Sequence, residues 1–300
     1  MPSLLILFFM IIFLLESMAG IIQNGFIITV LGREWVRCRS LSPADTILAS
    51  LGISRFFLQW ATIFSNFYTY FSPTNRSIYT GIFWSFTNTT TFWFTTWLAV
   101  FFCVKISSFT HPIFFWLKWR ISRFVPWLLL WSIMISALIF IPSFVKSYYI
   151  FQLPVTGNYS ENTTVHSRIH AFQRHFFMPL HIFILLINFI LVLVSIISLI
   201  SSLCRHLGNM QDHNVCRQDP TMQVHITTLK SLCYFLLLYT SNVLPLIITA
   251  TDSISVCSSR FWVVEILTYA GISIHPAFLI LNSSKLRRVL KKMLHGHEAA

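Results

Sequence analysis

From Ile82 to Ile106 the sequence reads IFWSFTNTTTFWFTTWLAVFFCVKI, with no acidic residue and one basic one, Lys105, at its far end. About 20 such residues cross the hydrocarbon core of a bilayer. Backbone groups in that core must be satisfied within the segment, which favours a helix. The first half also carries Trp84, Ser85, Thr87, Asn88, Thr89, Thr90 and Thr91. These polar groups need partners in lipid, so this half is expected to face other helices or a water-filled cavity. The second half, Leu98 to Val104, is apolar throughout. The stretch therefore reads as a membrane helix that lines a cavity with one half and reaches a basic face with its last turn.

It is one of seven such runs, at about residues 4–31, 44–67, 82–106, 126–144, 177–203, 226–250 and 261–281. Only 10% of the chain is charged, against about 25% in an average soluble domain. The expectation is an all-α membrane protein, a single seven-helix bundle over residues 1–300. The early part of the first run, followed by Ser17, Met18 and Ala19, also fits a secretory signal peptide. An uncleaved span is favoured, because no basic residue precedes the run and apolarity continues to Val30. Ser42 or Asp45 is placed to cap the second span. After the seventh, KLRRVLKKML (285–294) sets Leu286, Val289, Leu290 and Met293 on one helical face and basic residues on the other. That pattern suits a short helix on the membrane surface.

The net charge of +12 raises the question of nucleic acid. The basic residues instead sit in short clusters between apolar runs, so no nucleic-acid partner is expected and the lipid membrane is. Clusters follow spans one, three and five and occupy the tail: Arg33, Arg37, Arg39; Lys105, Lys118, Arg120, Arg123; Arg205, Arg217, Lys230; and Lys285, Arg287, Arg288, Lys291, Lys292. The other side holds Arg76, Lys146, Arg168, Arg174 and Arg260. By the positive-inside rule the richer face is cytoplasmic, which puts the N-terminus outside and the C-terminus inside. Asn158-Tyr-Ser160 and Asn162-Thr-Thr164 then read as glycosylation sites on an outer loop, with Asn75 a third candidate.

No hydrolase, nucleotide-binding or metalloprotease motif is present, so neither an enzyme nor a cofactor is expected. His181 and His275 lie in spans without a second ligand at helical spacing, and the cysteines show no zinc or disulfide pattern. Trp84 and Asn88 are four apart, hence neighbours on one face of span three. An aromatic wall beside an amide suits a small organic ligand. Glu265, near the outer start of span seven, would favour a cationic amine; it could equally pair with Lys146 or Arg260 at the membrane edge. Trp84 could also be an interfacial belt residue. Asn24 and Arg55 are polar groups inside spans, where a guanidinium must be paired or solvated.

The motifs, in order, resemble those of the bitter taste receptors (taste receptor type 2), which are seven-helix G-protein-coupled receptors. They are Glu16 with Asn24-Gly25-Phe26-Ile27, LGISRFFLQW (51–60) around Arg55, and FFCVKI (101–106). Span five ends in Leu199, Ser202-Leu203, His206 and Met210-Gln211. Span six carries His225, Leu229-Lys230 and FLLLY (235–239), and span seven closes on His275-Pro276, Leu279-Ile280 and Lys285-Leu286. Phe102 stands where the family usually has tyrosine, and Asn282-Ser283 is transposed against the family's serine–asparagine order.

The resemblance implies a plasma-membrane receptor with a pocket for small bitter agonists between spans three, five, six and seven. It assigns agonist contacts to Trp84, Asn88 and Glu265, and the interior network or switch to Asn24, Arg55 and Tyr239. Coupling to a gustducin-type or inhibitory-class G protein is implied, with phospholipase C and calcium release downstream. Lys105, Lys118, His206, Lys230 and Lys285 are its expected contacts. A vomeronasal-type pheromone receptor shares this architecture, and a small-molecule transporter is the alternative of a different class.

Overall fold

The computed structural model describes residues 4–71, 78–106, 112–152, 175, 178–212, 220–251 and 257–297. Among them the chain is helical and forms no strand: α1 (Leu4–Cys38), α2 (Pro43–Phe71), α3 (Ile78–Ile106), α4 (Pro112–Gln152), α5 (Met178–Asp212), α6 (Pro220–Thr251), α7 (Ser259–Asn282) and α8 (Ser284–His297). The first seven each contain a stretch long and apolar enough to cross a membrane. Asn158 and Asn162 lie outside the described residues.

Local chemistry sets the helix ends. Arg39 adopts φ 55° and its N–H donates to the Trp35 carbonyl at 2.8 Å, so a left-handed residue closes α1. Of the two capping candidates Ser42 opens α2, its hydroxyl accepting from Asp45 N–H at 3.1 Å. Ser283 serves two helices. Its N–H donates to Leu279 O at 3.0 Å, ending α7, and its carbonyl accepts from Arg287 N–H at 2.9 Å, starting α8.

Neighbouring helices pack in a closed ring, α1 on α2 and α7, α5 on α3 and α6, α6 on α7, with α3 also against α2 and α4. Of the seven spans, α3 is the most enclosed. Its threonines explain how a polar segment survives there. The hydroxyls of Thr87, Thr89, Thr90, Thr91, Thr95 and Thr96 each donate to a carbonyl four residues back, at 2.8–2.9 Å. The helix thus satisfies its own hydroxyls while its side chains are buried against neighbouring helices. At the other extreme, Trp119, Trp127 and Trp131 of α4 are 72%, 62% and 63% exposed, as expected of a face turned to lipid.

Among the described residues the core has three apolar clusters. One joins Phe13 of α1 and Leu58 of α2 to Trp262, Tyr269 and Ile272 of α7, with Trp84 packed on its edge. A second fills the basic end, from Leu31 and Leu51 through Leu98 and Val125 to Leu286 of α8. The third joins Phe92 of α3 to Val192 of α5 and Tyr239 of α6. Gly271 allows α7 to approach α6 closely: a methyl there would overlap the Leu238 carbonyl oxygen. That contact is backbone, which cannot step aside.

Candidate ligand site and coupling face

At the end opposite the basic clusters, α3 and α7 meet through Trp84 and Tyr269. The indole Nε1 donates to the Tyr269 hydroxyl at 2.5 Å. Glu265 lies one turn before Tyr269 on the same face of α7, and its Oε2 accepts from Asn66 Nδ2 of α2 at 2.6 Å. The carboxylate is half-buried. Of its two expected cations, Arg260 makes no ion pair with it, and the side chain of Lys146 lies outside what is described. Asn88, one turn along α3 from Trp84, is 1% exposed, and its Nδ2 has no hydrogen-bond partner. Trp84 and Glu265 are therefore brought together around Tyr269 on the α2–α3–α7 side.

Deeper in the bundle a column of polar contacts crosses between helices. Thr91 Oγ1 lies 3.1 Å from Ser54 Oγ, and Gln59 Nε2 donates to Ser273 Oγ at 2.9 Å. Arg55, 4% exposed, places Nη1 2.6 Å from His275 Nδ1 and Nη2 3.3 Å from Thr95 Oγ1. An arginine can only donate, so Nδ1 is the acceptor and His275 carries its proton on Nε2. Asn24 turns back on its own helix, donating to Gly20 O at 2.8 Å. Tyr239 is buried among aromatic rings, stacked on Phe189 and Phe235 and edge-on to Phe92.

At the basic end a cavity of about 720 Å³ opens between the helices, with Leu98 and Phe102 of α3, Leu199 of α5, Phe235 of α6 and His275 and Asn282 of α7 on its wall. Trp84, Asn88 and Glu265 do not line it. Around this end, Lys105 Nζ donates to the Lys118 carbonyl at 3.2 Å, while Lys118 and Lys230 are exposed. His206 is a helical position near the same end of α5. Lys285 is engaged differently. Its ammonium sits 2.8 Å from Glu34 and 2.7 Å from Asp45. Burial pulls its pKa down, but the hydrogen bonds to Asp45 and Glu34 and their charges outweigh it and raise it above the usual lysine value.

Comparison with known proteins decides what this bundle is. The family model described as "Taste receptor protein (TAS2R)" matches residues 1–298. The chain belongs to the taste receptor type 2 family. It is 45% identical to taste receptor type 2 member 134 of Rattus norvegicus, over 94% of this chain and 85% of that one. It is 42% identical to member 16 of Pan troglodytes over 97% and 98%, and 44% identical to member 41 of Pan paniscus over 98% and 97%. The protein is accordingly a G-protein-coupled receptor of the bitter-taste class, a multi-pass membrane protein and not an enzyme.

Phe102, Asn282 and Ser283, the positions expected to depart from the family pattern, all help to line the basic-end cavity. Asn282 Nδ2 donates to Ser231 Oγ at 2.7 Å and so ties α7 to α6. Ser283 is the shared cap of α7 and α8. Sequence reasoning missed Tyr269, Asn66 and the Arg55–His275–Thr95 contact. Tyr269 had a signal, since it is four residues after Glu265. Asn66 and Thr95 had none, because their partners depend on how separate helices are rotated.

Proposed function

We propose that the receptor sits with its N-terminus outside the plasma membrane and its basic end in the cytoplasm, and that it binds small bitter compounds at the outer cluster. Trp84 supplies an aromatic wall, Asn88 an unused amide donor, and Glu265 a carboxylate that attracts cationic amines. Support for this role comes from Glu265: it is half-buried, its hydrogen-bond partner is the neutral Asn66, and the described residues put no cation within ion-pair distance. A cationic agonist would complete that pair in a site of reduced dielectric.

Agonist binding drives activation to the extent that it favours the active packing over the resting one. The relay runs through Tyr239, Asn24 and the Arg55 region to the basic-end cavity. There a gustducin-type or inhibitory-class G protein docks, with Lys105, Lys118, His206 and Lys230 around it, and phospholipase C and calcium release follow. Asn158 and Asn162 are glycosylated on the outer side.

The test is a calcium response in cells expressing the receptor with a gustducin-chimeric G protein, challenged with diverse bitter compounds. A dose-dependent response absent from mock cells is expected. Glu265→Gln should weaken cationic agonists about tenfold and spare neutral ones. Equal loss for both groups rejects the carboxylate's role, and silence at confirmed surface expression rejects the coupling.

A further inference from the structure

We propose that the receptor binds a small monovalent anion of the halide class inside the bundle, at the Nε edge of Arg55. The guanidinium is permanently charged and only 4% exposed. A charge removed from water in a membrane protein is paired or solvated. Yet each partner of Arg55 is neutral: the His275 ring, which must be unprotonated at Nδ1 to accept, and the Thr95 hydroxyl. Thr95 already gives its own proton to the Thr91 carbonyl, so it offers Arg55 a lone pair and no charge.

Carboxylates do not close the gap. The ion pairs among the described residues are those of Lys285 with Glu34 and Asp45. Of the acidic residues within the spans, Glu265 is bound by Asn66, about three helical turns along α2 from Arg55. Glu16 lies on α1, outside ion-pair distance of Arg55. Among the described residues, a positive charge therefore stands in the middle of the bundle without a counter-charge.

One donor on that charge is also unused. Arg55 Nε is fully buried and has no hydrogen-bond partner. A buried N–H left unmade is unfavourable, more so on a charged group. A halide would answer both deficits at once, accepting from Nε–H and neutralising the guanidinium. The hydroxyls of Ser54 and Thr91 already give their protons to the Leu51 and Thr87 carbonyls, so the guanidinium itself is the donor. The competing occupant is a water molecule bridging Nε to Gln59 Oε1, a buried acceptor one turn along α2 that is likewise unpartnered. Water would satisfy the hydrogen bonds but leave the charge. The anion does not depend on which ligand the receptor senses or which G protein it uses.

The experiment is thermal unfolding of the purified full-length receptor in nanodiscs, with sodium chloride exchanged for sodium gluconate at constant ionic strength. A saturable rise in Tm of roughly 3–6 °C with chloride or bromide is expected, absent with gluconate, a bulky organic anion. Arg55→Met should abolish the difference. A wild-type Tm identical in chloride and gluconate overturns the proposal in favour of bridging water. A halide effect that persists in Arg55→Met overturns it too, because the ion then binds elsewhere. Should that variant not fold, chloride-35 line broadening on the wild-type receptor decides. Broadening that bromide competes away supports the site, and none refutes it.

Discussion

Trp84 and Glu265 each hold a neutral partner, so an agonist bound at the proposed site would exchange hydrogen bonds instead of finding bare groups. Tyr269→Phe removes the acceptor of the Trp84 indole and keeps the ring that packs on Phe13. Losing one such bond is worth about 1 kcal/mol, or roughly fivefold in affinity. Agonist concentration–response curves for Tyr269→Phe should shift by that order at normal surface expression, and an unmoved curve excludes Tyr269 from the site. Sequence spacing made Trp84 and Asn88 legible as neighbours, because i and i+4 share a helix face. The Asn66–Glu265 contact was not legible, since no spacing rule relates α2 to α7. Nor did the sequence disclose that His275, which has no second metal ligand at helical spacing, meets Arg55.

At the level of the helix, what the amino-acid pattern made plain was number and type. Long apolar runs with few charges read as seven spans, and the described residues hold seven helices of that kind. The pattern also marked α3 as a helix whose polar half faces other helices, and Thr87 to Thr91 are buried there; what it did not disclose is that these threonines also bond to their own backbone. Helix contacts were less legible, because they turn on small residues whose importance appears only when two backbones meet. Gly271 is such a case. Gly271→Ala drives a methyl into the Leu238 carbonyl and should destabilise the bundle by about 1–3 kcal/mol, read as a lower melting temperature of the purified receptor. Ser283→Ala keeps the backbone bonds but removes the hydroxyl that accepts from Leu286 N–H at 3.4 Å. That bond is long, so the expected loss is small, below about 1 kcal/mol, with α8 helicity reduced in hydrogen-exchange measurements.

Across the whole molecule, Lys285 binds three parts of the chain into one corner: Glu34 near the end of α1, Asp45 at the start of α2, and its own α8. Its place at the basic end made Lys285 an expected G-protein contact, whereas its ammonium is occupied within the receptor. The two roles separate experimentally. Lys285→Glu should lower agonist-evoked calcium, and adding Asp45→Lys should restore part of it if the corner is what matters. No restoration at matched surface expression would point instead to direct contact with the G protein. This corner also bears on how motion leaves the bundle. Because Ser283 alone separates α7 from α8 and its backbone N–H and carbonyl are both bonded, there is no slack loop between them. A small axial slide of α7 must therefore emerge as a swing of α8 about Lys285, as in a bell crank whose pivot is an ammonium and whose bearing is two carboxylates.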